Sequence, residues 1–317
     1  MKLFQNVFVS KDSEYYSVEN ELLLKNFGID YIDYIYKKDP DMPFRYFYNK
    51  KDTKVMHNFV NTMIIAGYWD KIPFSIMGSE NISIWRKSHL ERKNIKIVNG
   101  IFEYKGFKCR LPAFENLYRY NVNKMKMFKN RQYGVAFDLG AFVGDTSYLI
   151  HKEFGAKYVY AFEPERDNFK ILKETIRINN LKKVVQPVRL ATGLSNSNLS
   201  FKALGGASAF VKRSESSSYE VGVVSLDSFV EKRNIEKVDF IKMDIEGAEF
   251  DTLKGSIKTL KRDKPDLMIS VYHKGEHFFE IPPWLKKTVP EYNLRFIELS
   301  ATSPAIERVV VASTRKI

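Results

Sequence analysis

The chain has almost no cysteine. Cys109 is the only one in 317 residues, so no disulfide can form within one chain, and that points to a reducing compartment. Long apolar runs are missing as well: none approaches the ~20 residues of a membrane-spanning helix. The opening stretch, MKLFQNVFVSKDSEYY, has a short apolar run broken by Gln5 and Asn6, unlike a secretory signal. A cytoplasmic protein is expected. Acidic residues are in short supply: 38 Asp and Glu face 51 Lys and Arg, a net charge of +13. Residues 1–132 hold 23 Lys and Arg against 14 Asp and Glu, a net of +9, and residues 133–317 hold 28 against 24, a net of +4. A basic field favours an anionic partner, whether nucleic acid, membrane surface or a phosphate-bearing small molecule. Dense Lys/Arg blocks are absent, however, and runs such as YKK and NKK are short, so nucleic acid is not the favoured partner.

What is present suits a soluble α/β protein: 44% hydrophobic and 28% charged residues are ordinary globular values. The pattern changes near residue 132. Before it, TKVMHNFVNTMIIAGYWD (53–70) has the apolar spacing of an amphipathic helix. IKIVNGIFEYKGFKCRLP (95–112) has short β-prone runs broken at Asn99-Gly100 and Lys105-Gly106, which predicts one or two hairpins. ENLYRYNVNKMKMFKNRQ (115–132) reads as helical. Together these predict an N-terminal α+β cap over residues 1–132, which completes an acceptor site or forms a homodimer interface.

From residue 133 strands and helices alternate, which implies a mostly parallel sheet covered on both faces. Strands are expected at Val135–Leu139, Tyr158–Glu163, Val184–Pro187, Val238–Met243, Leu267–Tyr272, Leu294–Leu299 and Arg308–Ser313. Helices are expected at 144–153, 166–179, 226–234 and 247–261. Only SATSPAI separates the last two strands, too short for a helical crossover, so they should pair antiparallel. The Ser- and Gly-rich stretch 195–222 breaks the rhythm and reads as a strand with a mobile loop.

The segment FDLGAFVGDTS (137–147) runs from a buried strand through two glycines into a helix. Glycines allow a tight bend and close backbone approach to a ligand at a helix N-terminus. Glu163 follows 25 residues after Asp138 and closes the next strand, where an acidic residue accepts hydrogen bonds from ribose hydroxyls. A dinucleotide site reads G-x-G-x-x-G, but here only Gly140 and Gly144 appear, with Asp138 just before them. A carboxylate suits a cationic amino acid group better than a pyrophosphate. S-adenosylmethionine therefore fits, and NAD fits less well. Ala141, Asp145 and Thr146 of the same bend, and Pro164 beside Glu163, join Asp138, Gly140, Gly144 and Glu163 as expected cofactor-binding residues. Asp244, at a later strand end, completes that set.

FDLGAFVGDTS, YAFEPERDNFKIL, VVSLDSFV and FIKMDIEGAEFDTLKG occur in this order, and the chain over about 133–317 thereby resembles the FkbM family of S-adenosylmethionine-dependent methyltransferases. KMDIEGAE is the most specific piece; ISVYHK followed by EIP resembles a subset of the family. The resemblance implies a class I methyltransferase fold: a Rossmann-like, seven-stranded, mostly parallel sheet whose last strand is antiparallel. It also implies methylation of a hydroxyl group, often on a sugar or polyketide. A sugar or nucleotide-linked sugar, such as a precursor of capsular polysaccharide, is the expected acceptor.

At the reacting end, Lys242, Asp244, Glu246 and Glu249 stand at the end of one strand and His273 ends the next. Period-2 alternation puts Lys242, Asp244 and Glu246 on one side, while Glu246 and Glu249 also suit a helix N-terminus by charge alone. Two roles are open. His273 is a general base oriented by Asp244, or Asp244 and His273 are ligands of one divalent metal, Mg2+ or Mn2+. Gly275 argues against a helix that presents both His273 and His277. Two other readings remain, an RNA methyltransferase and a non-catalytic binding module on the same fold.

Overall fold

A computed structural model of the protein describes residues 15–17, 29–32, 50–68, 71–73, 95–110, 125–202, 209–210, 218–299 and 307–317. Its centre is a seven-stranded sheet made of β1 (Val135–Leu139), β2 (Tyr158–Phe162), β3 (Val185–Val188), β4 (Phe240–Met243), β5 (Asp266–Ser270), β6 (Asn293–Glu298) and β7 (Arg308–Ser313). The spatial order is β6-β7-β5-β4-β1-β2-β3. β1 to β5 pair in parallel, and β7 is antiparallel to both β5 and β6. The expected topology is thus present, and strand ends differ from the sequence reading by one or two residues.

Alternation along each strand divides the core into two layers, because successive side chains leave opposite faces of the sheet. Phe137 and Leu139 of β1 join Ile241, Met243, Leu267 and Ile269 in one layer. Ala136, Phe240 and Met268 point into the other. β5 is buried along its whole length, which is why its centre, Leu267 to Ile269, reads as an unbroken apolar run rather than an alternating one.

The helices are α1 (Lys50–Tyr68), α2 (Asp145–Lys152), α3 (Arg166–Ile178), α4 (Leu226–Lys232), α5 (Glu249–Lys254), α6 (Ile257–Asp263) and α7 (Gly275–Thr288). Two corrections to the sequence reading concern them. The single helix expected at 247–261 is two helices, broken at Gly255. A Cβ on Gly255 would lie 2.2 Å from the Gly193 carbonyl oxygen, so the chain must cross there without a side chain. α7 was not expected at all, since Pro282 and Pro283 lie inside it and neither carries an N–H for the preceding turn.

The stretch 191–224 also differs. Instead of one strand it forms a small sheet in which Ser197–Lys202 pairs antiparallel with Ser218–Val224 and with Ala209–Phe210. The rest of the loop expected there, 203–208 and 211–217, lies outside the described residues. Lys96–Val98, Ile101–Tyr104 and Phe107–Cys109 form two hairpins where one or two are expected. Positive φ angles at Asn99, Gly100, Lys105 and Gly106 make the turns. Of the helix expected at 115–132, residues 115–124 lie outside the described part, and 125–128 are a short 3₁₀ turn.

Candidate active site

The carboxyl ends of β1, β2, β4 and β5 meet along one edge of the sheet, where open α/β sheets bind their ligands. The β1 end is built around a buried ion pair. Asp138 Oδ2 accepts hydrogen bonds from the hydroxyls of Thr146 at 2.7 Å and Ser147 at 2.6 Å. Its Oδ1 faces Lys242 Nζ at 3.4 Å. Lys242 also donates to the carbonyl of Gly140 at 2.7 Å. The cation on β4 therefore ties the glycine bend to the strand beneath it. Burial works against a charge on Lys242, but Asp138, Asp244 and Asp145 outweigh it and raise its pKa. Sequence alternation groups Lys242 with Asp244 and Glu246; the structure turns it under the Gly140 bend, against Asp138.

The two glycines do different work. Gly140 has φ +75°, and a Cβ there would sit 1.9 Å from the Asp244 carbonyl oxygen, so the β1 and β4 ends touch backbone to backbone. Gly144 precedes α2 at φ +89°. A Cβ there would lie 2.8 Å from Leu172 of α3, so this glycine serves helix packing. Gly140 and Ala141 both donate their N–H groups to the Phe162 carbonyl, at 3.1 and 2.8 Å, which places Glu163 beside the bend. Glu163 is buried and accepts from the backbone N–H groups of Phe142 and Glu165, both at 2.9 Å. Burial, helped by Glu165, pushes its pKa up to about 7 against those two hydrogen bonds. Asp145 is also pushed up to about 7, by burial first and Asp138 second, with Lys242 opposing. Pro164 is half-buried between Glu163 and Glu165, the latter capping α3 through the Asn168 N–H.

On the other side of the bend, β4 and β5 are parallel neighbours and bring Asp244 and His273 together. His273 Nε2 lies 3.5 Å from Asp244 Oδ1 and 3.5 Å from Glu246 Oε2. Its Nδ1 lies 2.9 Å from Glu249 Oε1. The Tyr272 hydroxyl donates to Asp244 Oδ1 at 3.3 Å. Burial opposes a charge on His273, but Glu249, Glu246 and Asp244 overcome it and hold the imidazole pKa at about 10. Burial, aided by Asp244 and Glu249, pushes Glu246 up to about 7. Glu246 also has φ +54°, a strained backbone for a residue with a side chain.

From sequence, a helix start favoured by charge is one reading of Glu249. The structure makes it the hub of this corner. Fully buried, it accepts from the N–H groups of Ile245 at 2.9 Å and Gly247 at 3.0 Å. His277 Nδ1 lies 3.1 Å from its Oε2. Burial would raise its pKa, but His273 and His277 hold it well below the usual carboxylate range. As expected, no single helix presents both histidines, since α7 begins at Gly275, after His273; its first turn nevertheless aims His277 at the same carboxylate as His273. No spacing rule pairs Glu249 with either histidine, because the contact depends on how α5 and α7 start.

This sheet order, with a glycine bend after β1 and an acid after β2, defines a class I methyltransferase fold. Residues 138–295 match the methyltransferase FkbM domain model, and the chain belongs to that family of methyltransferases. Hexuronic acid methyltransferase AglP of Haloferax volcanii is 26% identical over 171 residues, which cover 51% of this chain and 70% of that protein. The crystal structure of methyltransferase FkbM from Methylobacillus flagellatus KT matches with a TM-score of 0.58 at 15% identity. That match covers 89% of this chain but 60% of the other, so the chain spans less than two thirds of that structure's length; at this identity the likeness carries the fold alone. Among the described residues, no helix is long and apolar enough to cross a membrane.

Proposed function

We propose that the protein transfers a methyl group from S-adenosylmethionine to a hydroxyl of a sugar or nucleotide-linked sugar. The observation that carries this reading is the adjacency of two half-sites on one sheet edge. One is the Gly140 bend with Glu163, suited to a nucleoside bearing an amino acid tail. The other is the cluster of Asp244, Glu246 and His273, suited to a hydroxyl group. The hexuronic acid methyltransferase relative supports a sugar acceptor.

In this reading Glu163 accepts hydrogen bonds from the ribose hydroxyls, and Gly140 to Thr146 line the amino acid tail. Asp138 acts one step back, holding α2 and Lys242 in place. The acceptor hydroxyl lies between the donor methyl and the β4–β5 corner. Its oxygen displaces the thioether sulfur in line: the C–S bond breaks, a C–O bond forms, and S-adenosylhomocysteine leaves. The hydroxyl proton passes to the carboxylates of Asp244 and Glu246. With a pKa near 7, Glu246 is matched to that task at neutral pH. His273, charged by its three carboxylate neighbours, positions them rather than taking the proton. Holding donor and acceptor in a near-attack geometry supplies most of the acceleration.

Calorimetry with S-adenosylhomocysteine tests the donor half. Glu163→Ala should weaken binding by ~1.5–3 kcal/mol, the range for hydrogen bonds to a charged group. NAD binding in place of S-adenosylhomocysteine binding would overturn this reading. Incubation with labelled S-adenosylmethionine and hexuronic acids, nucleotide sugars or RNA then identifies the acceptor class. Transfer to RNA alone would displace the sugar assignment.

A further inference from the structure

The β4–β5 corner carries more negative charge than hydroxyl binding requires. Three carboxylates, those of Asp244, Glu246 and Glu249, converge on one imidazole whose side chain is 2% exposed. They do not converge in the same way. Glu249 meets Nδ1 at 2.9 Å, an ordinary hydrogen-bond length. Asp244 and Glu246 stand off from Nε2 at the same 3.5 Å, beyond hydrogen-bond range. A spacing of ~3.0–3.5 Å is what two atoms adopt when each lies ~2.0–2.2 Å from a shared ion. Asp244 and His273, with Glu249 rather than Glu246 as the third member, have ligand atoms that all lie within 4.8 Å of one another.

Two of these carboxylates face Nε2, and one belongs behind the ring. Glu249 already accepts from two backbone N–H groups and lies against His277, so its oxygens are committed to holding the corner. Its bond to Nδ1 fixes the tautomer and directs Nε2 toward Asp244 and Glu246. That is the outer-carboxylate arrangement which orients a metal-ligating histidine. The strained turn at Glu246, φ +54°, followed by Gly247 at φ +98°, brings the Glu246 carboxylate to 3.5 Å from His273 Nε2. An extended chain would carry it away. Glu249 holds both sides of this turn through the Ile245 and Gly247 N–H groups.

We propose that Asp244, Glu246 and His273 form a divalent-cation site, with Glu249 as the outer carboxylate that orients His273, and that the acceptor hydroxyl completes the coordination. Two carboxylates with one imidazole suit Mn2+ better than Mg2+, which prefers oxygen ligands alone. A bound cation would displace the proton that His273 otherwise carries on Nε2, polarise the hydroxyl and ease loss of its proton. The inference rests on the reading of this corner as the acceptor side, but its test does not depend on turnover.

The test is Mn2+ titration of the full-length protein, followed by electron paramagnetic resonance of unbound Mn2+ and by calorimetry. One saturable site is expected in the wild type. Glu246→Gln and Asp244→Asn should each weaken it at least tenfold. Glu249→Gln should weaken it by about 10–100-fold, the range for an outer partner. Glu246 is the most exposed of the three carboxylates, with 28% side-chain exposure, so Glu246→Gln tests the site even if the Glu249 variant misfolds. S-adenosylhomocysteine binding, measured on the same samples, should be unchanged in Glu246→Gln. No saturable Mn2+ binding, or Mn2+ binding indifferent to Glu246→Gln, overturns the cation site. Loss of S-adenosylhomocysteine binding in the wild type would instead overturn the methyltransferase reading.

Discussion

If Glu163 accepts hydrogen bonds from the donor's ribose, as proposed, this single residue makes donor binding depend on pH. In the protein alone its carboxyl pKa is about 7, raised by burial, whereas an unfolded chain leaves a glutamate near 4.3. The raised value means that the stability linked to this group is present in full below the unfolded pKa and is lost as pH rises through about 7. Ribose hydroxyls donate, and only the carboxylate accepts from both. Donor binding therefore favours the deprotonated form and must expel a proton below pH 7. Affinity for S-adenosylhomocysteine should rise from pH 6 to pH 8, approaching about tenfold per unit on the acid side. Asp145, also near 7, adds to the slope from the same bend. Calorimetry across this range should show the trend, with a flatter profile in Glu163→Gln. A wild-type profile that is flat or falls with pH would exclude Glu163 as the ribose ligand.

At the scale of elements, the junction between α5 and α6 gives a sharp expectation. A Cβ on Gly255 would meet the Gly193 carbonyl oxygen at 2.2 Å and that of Leu194 at 2.9 Å. Both are backbone atoms and cannot swing aside. Gly255→Ala should cost ~1–3 kcal/mol, the usual range for overpacking, and lower the melting temperature by several degrees, as calorimetry would register. A variant melting with the wild type would mean that the 191–194 segment yields freely. The same junction shows which parts of the fold the sequence carries. Apolar spacing continues through 247–261, so the break is invisible locally; it arises from a segment some 60 residues earlier in the chain. α7 was hidden behind Gly275, Pro282 and Pro283, each a helix breaker by local rules. The grouping of Asp138, Gly140 and Glu163 was legible because they lie within 25 residues on two successive strands. That of Asp244 and His273 was legible because they end adjacent strands. Glu249 and His277 were not, because their meeting depends on two helix starts and the turn between β4 and α5.

For the molecule as a whole, the question is whether residues before 132 form a separable cap. Their described parts share a core with the sheet. Met56, Phe59 and Met63 of α1 are buried in the same cluster as Leu294, Phe296 and Phe278. Asp52 accepts from Arg295 Nε at 2.6 Å, Nη2 at 3.0 Å and the Phe296 N–H at 3.2 Å, which fastens α1 to β6. Tyr31, fully buried beside Phe59, Phe278 and Phe279, donates its hydroxyl to the Val271 carbonyl. Asp30 accepts from the Gly275 N–H at 2.5 Å. These last two contacts bracket Tyr272, His273 and Lys274, so the early segment holds the strand end that carries His273. On the opposite layer, Lys108 and Asn179 exchange hydrogen bonds at 2.9 and 2.7 Å, tying the hairpins to the end of α3. Deleting residues 1–110 would strip both layers, and losing several buried aromatic side chains at ~3–5 kcal/mol each exceeds the stability of an ordinary domain. The truncated chain should lack a cooperative melt and near-ultraviolet circular dichroism, and should lose S-adenosylhomocysteine binding along with turnover. Tyr31→Phe is the milder probe. It keeps the ring packing, removes one hydrogen bond worth about 1 kcal/mol, and should lower turnover while leaving S-adenosylhomocysteine affinity intact. A truncated protein that melts cooperatively and binds S-adenosylhomocysteine like the full chain would establish a separable cap instead.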